Sequence, residues 1–103
     1  MNRTLSPSCV GLQDITKAAG VFKTLGSPVR LRMVRKLAEG ECCVCELVEL
    51  SGLSFPTVSR HLSVMKAAGV VSDEKRGQQV FYRLLMPCVV DFCECLLAER
   101  CDR

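Results

Sequence analysis

The chain has 103 residues and no apolar run approaching the roughly 18 residues of a membrane span, so no transmembrane helix is expected. Its opening, MNRTLSPSCVGL, holds no continuous hydrophobic region; no secretory signal is expected, and the cytoplasm is the expected compartment. The single histidine, His61, has no acid or nucleophile placed to form a catalytic pocket with it, and no glycine-rich phosphate loop occurs. Both absences argue against an enzyme and against a small organic substrate. Four prolines and seven glycines leave little room for long disorder, and there is neither an internal repeat nor a low-complexity tract. What remains is a chain sized for one domain, residues 1–103, with an apolar fraction of 49% to supply a modest core.

Cysteine, by contrast, is abundant. Eight occur in a chain without an export signal, and the cytosol keeps thiols reduced, so metal binding or redox sensing fits better than a disulfide scaffold. They cluster as Cys42, Cys43 and Cys45, then Cys88, Cys93, Cys95 and Cys101, with Cys9 alone. The net charge of +3 is also segmented: residues 1–40 and 55–83 are basic, while 41–54 and 84–103 are acidic. Such a pattern suits one face offered to a polyanion.

Residues 1–10 read as a flexible arm. Leu12, Ile15, Ala19, Phe22 and Leu25 then follow helical spacing up to Gly26. Ser27-Pro28 is an N-cap followed by a first-turn proline, opening a helix that carries Val29, Leu31, Val34 and Leu37 as far as Gly40. Glu41 to Leu50 predicts a short third helix with Leu47 and Leu50 inward. After the Ser51-Gly52-Leu53-Ser54 turn comes a fourth helix, with Pro56 in its first turn and Gly69 beyond its end. Val58, Leu62 and Met65 form its apolar stripe, and Thr57, Ser59, Arg60, Ser63 and Lys66 lie opposite. A helix with a dry back and a cationic, hydrogen-bonding front suits the major groove of DNA. Val71, Val80, Phe81 and Tyr82 flank a Lys75-Arg76-Gly77-Gln78 tip and predict a hairpin. Pro87 then permits a last helix from Cys88 to about Arg100, with Val89, Phe92, Cys93 and Leu96 on one side.

This order predicts a mainly α (α+β) fold, a winged helix-turn-helix of four helices, a β-hairpin wing and a C-terminal dimerisation helix within residues 88–103. Apolar helices at both ends find few partners in so small a subunit, which points to a symmetric homodimer.

The run GSPVRLRMVRKLAEGECCVCELVELSGLSFPTVSRHLSVMKAAGVV, followed by RGQQVFYRL, resembles the arsenic-repressor (ArsR/SmtB) family of winged-helix, metal-sensing bacterial repressors, over roughly Ala18 to Leu84. The resemblance implies a homodimer that holds a palindromic double-stranded operator and leaves it when a thiophilic ion arrives. Glu41-Cys42-Cys43-Val44-Cys45-Glu46-Leu47 aligns with the family's Glu-Leu-Cys-Val-Cys-Asp-Leu box, which implies Cys43 and Cys45 as ligands. Cys42 replaces an apolar residue, and Val48 stands where the arsenic box has a third cysteine, so Cys42 is the nearest candidate third donor. Zinc-sensing relatives use Asp and His on the last helix; no histidine lies there, and zinc sensing at that site is not expected. The expected inducer is As(III) or Sb(III), with Cd(II) and Pb(II) as further soft ions.

A helix N-terminus favours the thiolate at this box, while Glu41 and Glu46 oppose it. In a regular helix Cys43 and Cys45 would lie about 200° apart, so one ion could hold both only by unwinding the first turn. That distortion would shift the helix behind which it packs. Alternatively Cys43 is simply a buried small hydrophobe. Cys93, Cys95 and Cys101 read as a second thiol site for soft metal, as structural thiols, or as partners of the third-helix thiols in a disulfide or polysulfide switch. The last option would make the protein a thiol-based redox or sulfide-responsive repressor. A metal-carrying chaperone is a more distant alternative, since it would need neither the cationic helix nor the wing.

On the DNA side, Thr57, Ser59 and Arg60 are candidates for base edges and phosphates, and Ser63 and Lys66 for the backbone. Arg76 and Gln78 are placed to reach the minor groove from the hairpin tip. His61 either braces its helix or touches DNA. Phe55-Pro56 stands where relatives commonly carry polar residues; the ring either meets a thymine methyl or packs beneath the helix.

Overall fold

The computed structural model describes residues 10–101; residues 1–9, which hold Cys9 and nearly all of the expected arm, and residues 102–103 of the tail lie outside the described residues. The elements run α1 (Leu12–Thr24), α2 (Pro28–Leu37), β1 (Cys42–Cys43), α3 (Val44–Ser51), α4 (Phe55–Ala67), β2 (Val71–Arg76), β3 (Gln79–Leu84) and α5 (Pro87–Cys101).

Local chemistry sets most of these boundaries. The Ser27 hydroxyl accepts the Arg30 N–H at 3.3 Å, and the Ser54 hydroxyl accepts the Thr57 N–H at 3.4 Å, so each of these prolines follows a capping serine into a first turn. The bend between α3 and α4 turns on Gly52, whose φ of 72° is left-handed and open to glycine at little cost.

Met33 and Val34 of α2, Leu47 of α3, Val58, Leu62 and Met65 of α4, and Val70 with Val71 of the following segment are all but fully buried in one core. Each such side chain contributes about 1.5–3 kcal/mol by leaving water. The predicted stripe therefore seats α4 firmly against α2 and α3. The two terminal helices are different: Leu12, Ile15, Phe22, Phe92, Leu96 and Leu97 remain exposed on α1 and α5. Between these helices lies an apolar groove of about 540 Å³, where Phe22 and Phe92 meet edge to face with ring centroids 6.1 Å apart.

The hairpin forms as predicted, with Val71 opposite Leu84 and Arg76 opposite Gln79 around a Gly77-Gln78 tip. A third strand joins it in the order β1-β3-β2. This corrects the helix expected from Glu41: Cys42 pairs with Tyr82 and Cys43 with Phe81, and the helix starts only at Val44. Cys43 is extended (φ −79°, ψ 162°) and acts as the N-cap. A two-residue strand is too short to display an alternation that sequence could reveal. None of the helices among the described residues is long and apolar enough to cross a membrane.

Candidate thiol site and nucleic-acid interface

The rigid seat of α4 leaves Arg60 and Ser63 exposed, and Thr57 and Ser59 half-buried. Several neighbours are already engaged. The Thr57 hydroxyl lies 2.8 Å from that of Ser54. Lys66 pairs with Asp73 of β2 at 2.9 Å, a bond that raises the lysine pKa and ties the end of α4 to the wing. His61 Nδ1 accepts the Arg30 Nε–H at 3.0 Å, and the same guanidinium donates to the Thr24 carbonyl at 3.1 Å. Arg30 thus joins the end of α1, α2 and α4. Burial, followed by the charges of Arg30 and Arg60, holds His61 below its ordinary 6.5. A neutral ring accepting at Nδ1 carries its proton on Nε2. The structure places His61 as a brace between helices. Phe55 does not pack beneath α4: it is 57% exposed, and Pro56 beside it is exposed too.

At the wing, Arg76 grips both oxygens of Glu41, at 2.9 and 2.8 Å, and also Glu74 at 2.8 Å. Its guanidinium carbon sits 4.7 Å from the centre of the Phe81 ring. The planar fork of arginine suits such bidentate, stacked sites. The contact lowers the Glu41 pKa, the hydrogen bond from Arg76 being the main cause. Arg76 therefore turns from the tip toward the strand that carries the thiols, while Gln78 stays exposed. This role of Glu41 has no local signature, because its partner is 35 residues away.

The sulfurs of Cys43 and Cys45 meet and are joined, with Cα atoms 5.4 Å apart. No unwinding is needed to bring them together: Cys43 precedes the helix, so the separation of about 200° that a regular helix would impose on it and Cys45 does not apply. Its N–H donates to the Glu46 carboxylate at 2.9 Å. Cys42 faces the core at 2% exposure, with its Sγ 3.6 Å from the Gly40 carbonyl. Burial first, then Glu46, pushes its thiol pKa up and disfavours the metal-binding thiolate.

Once the bond between them is reduced, the box would present two converged soft donors, a set that fits a thiophilic ion, with the third sulfur turned inward. Among the described residues no cluster of three or more His, Cys, Asp or Glu side chains stands ready to hold a metal. On α5, Cys93 is buried beside the apolar groove while Cys88 and Cys95 are exposed, so Cys93 and Cys95 do not converge; Cys101 closes the helix.

A serine-capped helix with an outward arginine, reached through a glycine bend and followed by a three-stranded wing, defines a winged-helix regulator. Residues 27–73 match the family described as "Bacterial regulatory protein, arsR family". The chain belongs to this ArsR family, one of regulatory proteins rather than enzymes. It is 45% identical over 74 residues to the arsenic resistance transcriptional regulator ArsR1 of Pseudomonas putida, covering 71% of this chain and 58% of that one. It is 37% identical over 86 residues to the biofilm growth-associated repressor of Agrobacterium fabrum, covering 84% and 74%. Among solved structures it is similar to the transcriptional repressor BigR from Xylella fastidiosa, with a TM-score of 0.74 and 35% identity over 84% of this chain and 88% of that one. The chain thus spans little more than half the length of the Pseudomonas relative.

Proposed function

We propose that this protein is a homodimeric transcriptional repressor that binds double-stranded operator DNA through α4 and the wing, and is released by As(III) or Sb(III) captured at Cys43 and Cys45. The observation that carries this reading is the meeting of those two sulfurs at the junction of β1 and α3. Soft sulfur donors select As(III), Sb(III), Cd(II) and Pb(II) over hard cations. The relatives named for arsenic resistance support the metalloids over the divalent ions.

The coupling runs through β1. Cys42 and Cys43 are rungs against Tyr82 and Phe81, and Glu41 just before them grips Arg76. Turning Cys42 outward to complete a three-sulfur set would break its rung and pull Glu41 from the wing. It would also disturb α3, on which α4 rests. Two copies would cover each other's apolar surfaces on α1 and α5, where Phe22, Phe92 and Leu96 stand in water.

Operator release titrated with arsenite under reducing conditions tests the reading. The parent should release stoichiometrically, and a Cys43→Ser/Cys45→Ser protein should stay bound. Cys42→Ser should bind the ion yet release poorly. Full induction of the double variant would sink the assignment. The joined sulfurs also favour a second reading, a thiol-redox repressor on the same box. Release by peroxide or persulfide without metal, reversed by reductant, would select that reading instead.

A further inference from the structure

We infer that Phe55 is a specificity-determining residue that reads a thymine methyl group in the operator. The inference rests on α4 entering the major groove, as proposed above, and adds what its leading edge recognises.

Phe55 is the first residue of α4 and Pro56 the second. The N-terminal residues of a recognition helix are the ones that meet base edges. Here they offer DNA almost no free hydrogen-bonding side chain. Phe55 and Pro56 are apolar, and the Thr57 hydroxyl is engaged with Ser54, whose own oxygen caps the helix. Further along the helix His61 is held by Arg30 and Lys66 by Asp73, which leaves Arg60 and Ser63 as its freest polar groups. Phe55 shares the side of α4 that carries buried Val58 and Leu62, but as the first residue of the helix it projects beyond the packed part of that stripe. At that tip 57% of its surface is in water.

In the major groove every base pair presents donors and acceptors, and thymine alone adds an apolar group, its C5 methyl. An aromatic ring at the tip of the helix can satisfy none of the former and can cover the latter. Arg60, about one and a half turns along and so roughly 140° round the helix, would make a separate polar contact.

The test begins with duplexes selected by the parent protein from a random pool. Each thymine of one half-site is then replaced in turn by deoxyuridine, which removes only the methyl group. For the parent, one replacement should weaken binding roughly three- to five-fold, the effect of one methyl group left in water. For Phe55→Ala the thymine and uracil duplexes should bind alike, both about as weakly as the parent on uracil. Phe55→Leu should restore part of the discrimination. Circular dichroism confirms folding of both variants, which is expected for an exposed side chain. A uracil scan that is flat for the parent, or that reads the same in parent and Phe55→Ala, overturns the inference while leaving DNA binding intact. A parent that selects no duplex overturns it together with the reading on which it rests.

Discussion

Lowering the pH through the neutral range should loosen α4 from α2, and the Arg30–His61 hydrogen bond gives both the sign and the size of the effect. His61 accepts through Nδ1 and can do so only while that nitrogen is unprotonated. Because the fold holds its pKa below 6.5, the unfolded chain takes up the proton first on acidification. The stabilisation is therefore complete above about 6.5 and drains away as the pH falls through the lower folded value. A hydrogen bond to a charged group contributes about 1.5–3 kcal/mol, and partial exposure to water reduces this one to about 1 kcal/mol. In a double-mutant cycle of Arg30→Met and His61→Ala, the coupling at pH 7.5 should be about 1 kcal/mol. That corresponds to a melting shift of about 4–8 °C in a domain of this size. Urea unfolding of all four proteins at one fixed concentration measures it. As the pH falls below the depressed folded value the coupling should fall toward zero, because a protonated ring offers Arg30 no acceptor. Additive single variants at pH 7.5, or a coupling that does not weaken across an acid titration over which the folded state holds, would refute the brace.

Three further outcomes are expected. Freeing the wing arginine with Glu41→Gln and Glu74→Gln should steepen the salt dependence of operator binding by about one unit of slope as Arg76 reaches a phosphate; an unchanged slope on log–log axes counts against that role. Arg60→Ala should weaken operator binding at moderate salt by roughly 1–3 kcal/mol, read by fluorescence anisotropy, and parental affinity would remove Arg60 from the interface. Phe92→Asp puts a charge beside Phe22 in the apolar groove and should make the protein monomeric at micromolar concentration in sedimentation equilibrium; a parent that is itself monomeric there would contradict the dimer.

The elements legible in the sequence were those with local causes. Ser27-Pro28 and Ser54 with Pro56 marked helix starts through caps made within one turn, and Val58, Leu62 and Met65 announced the face by which α4 is seated. On α5 the stripe was legible but its partner was not: Cys93 is buried, whereas Phe92 and Leu96 are still in water. The misread stretch was Glu41 to Cys43, where tertiary pairing with Phe81 and Tyr82 overrides a helix-like pattern. With Cys43 extended rather than helical, its sulfur converges with that of Cys45. The brace and the wing clamp join residues 31 and 35 positions apart, and nothing in the chain marks Arg30, His61, Glu41 or Arg76 as engaged before it folds.

Cys43 has two duties at once, since it forms half of the sulfur pair and also opens α3. Serine differs from it by one atom and is among the best residues for starting a helix. Exchanging the two would leave the scaffold at least as well built while removing half of the sulfur pair. If the proposed function holds, a single inherited exchange at this position would leave the regulated gene permanently shut, with no misfolded form along the way.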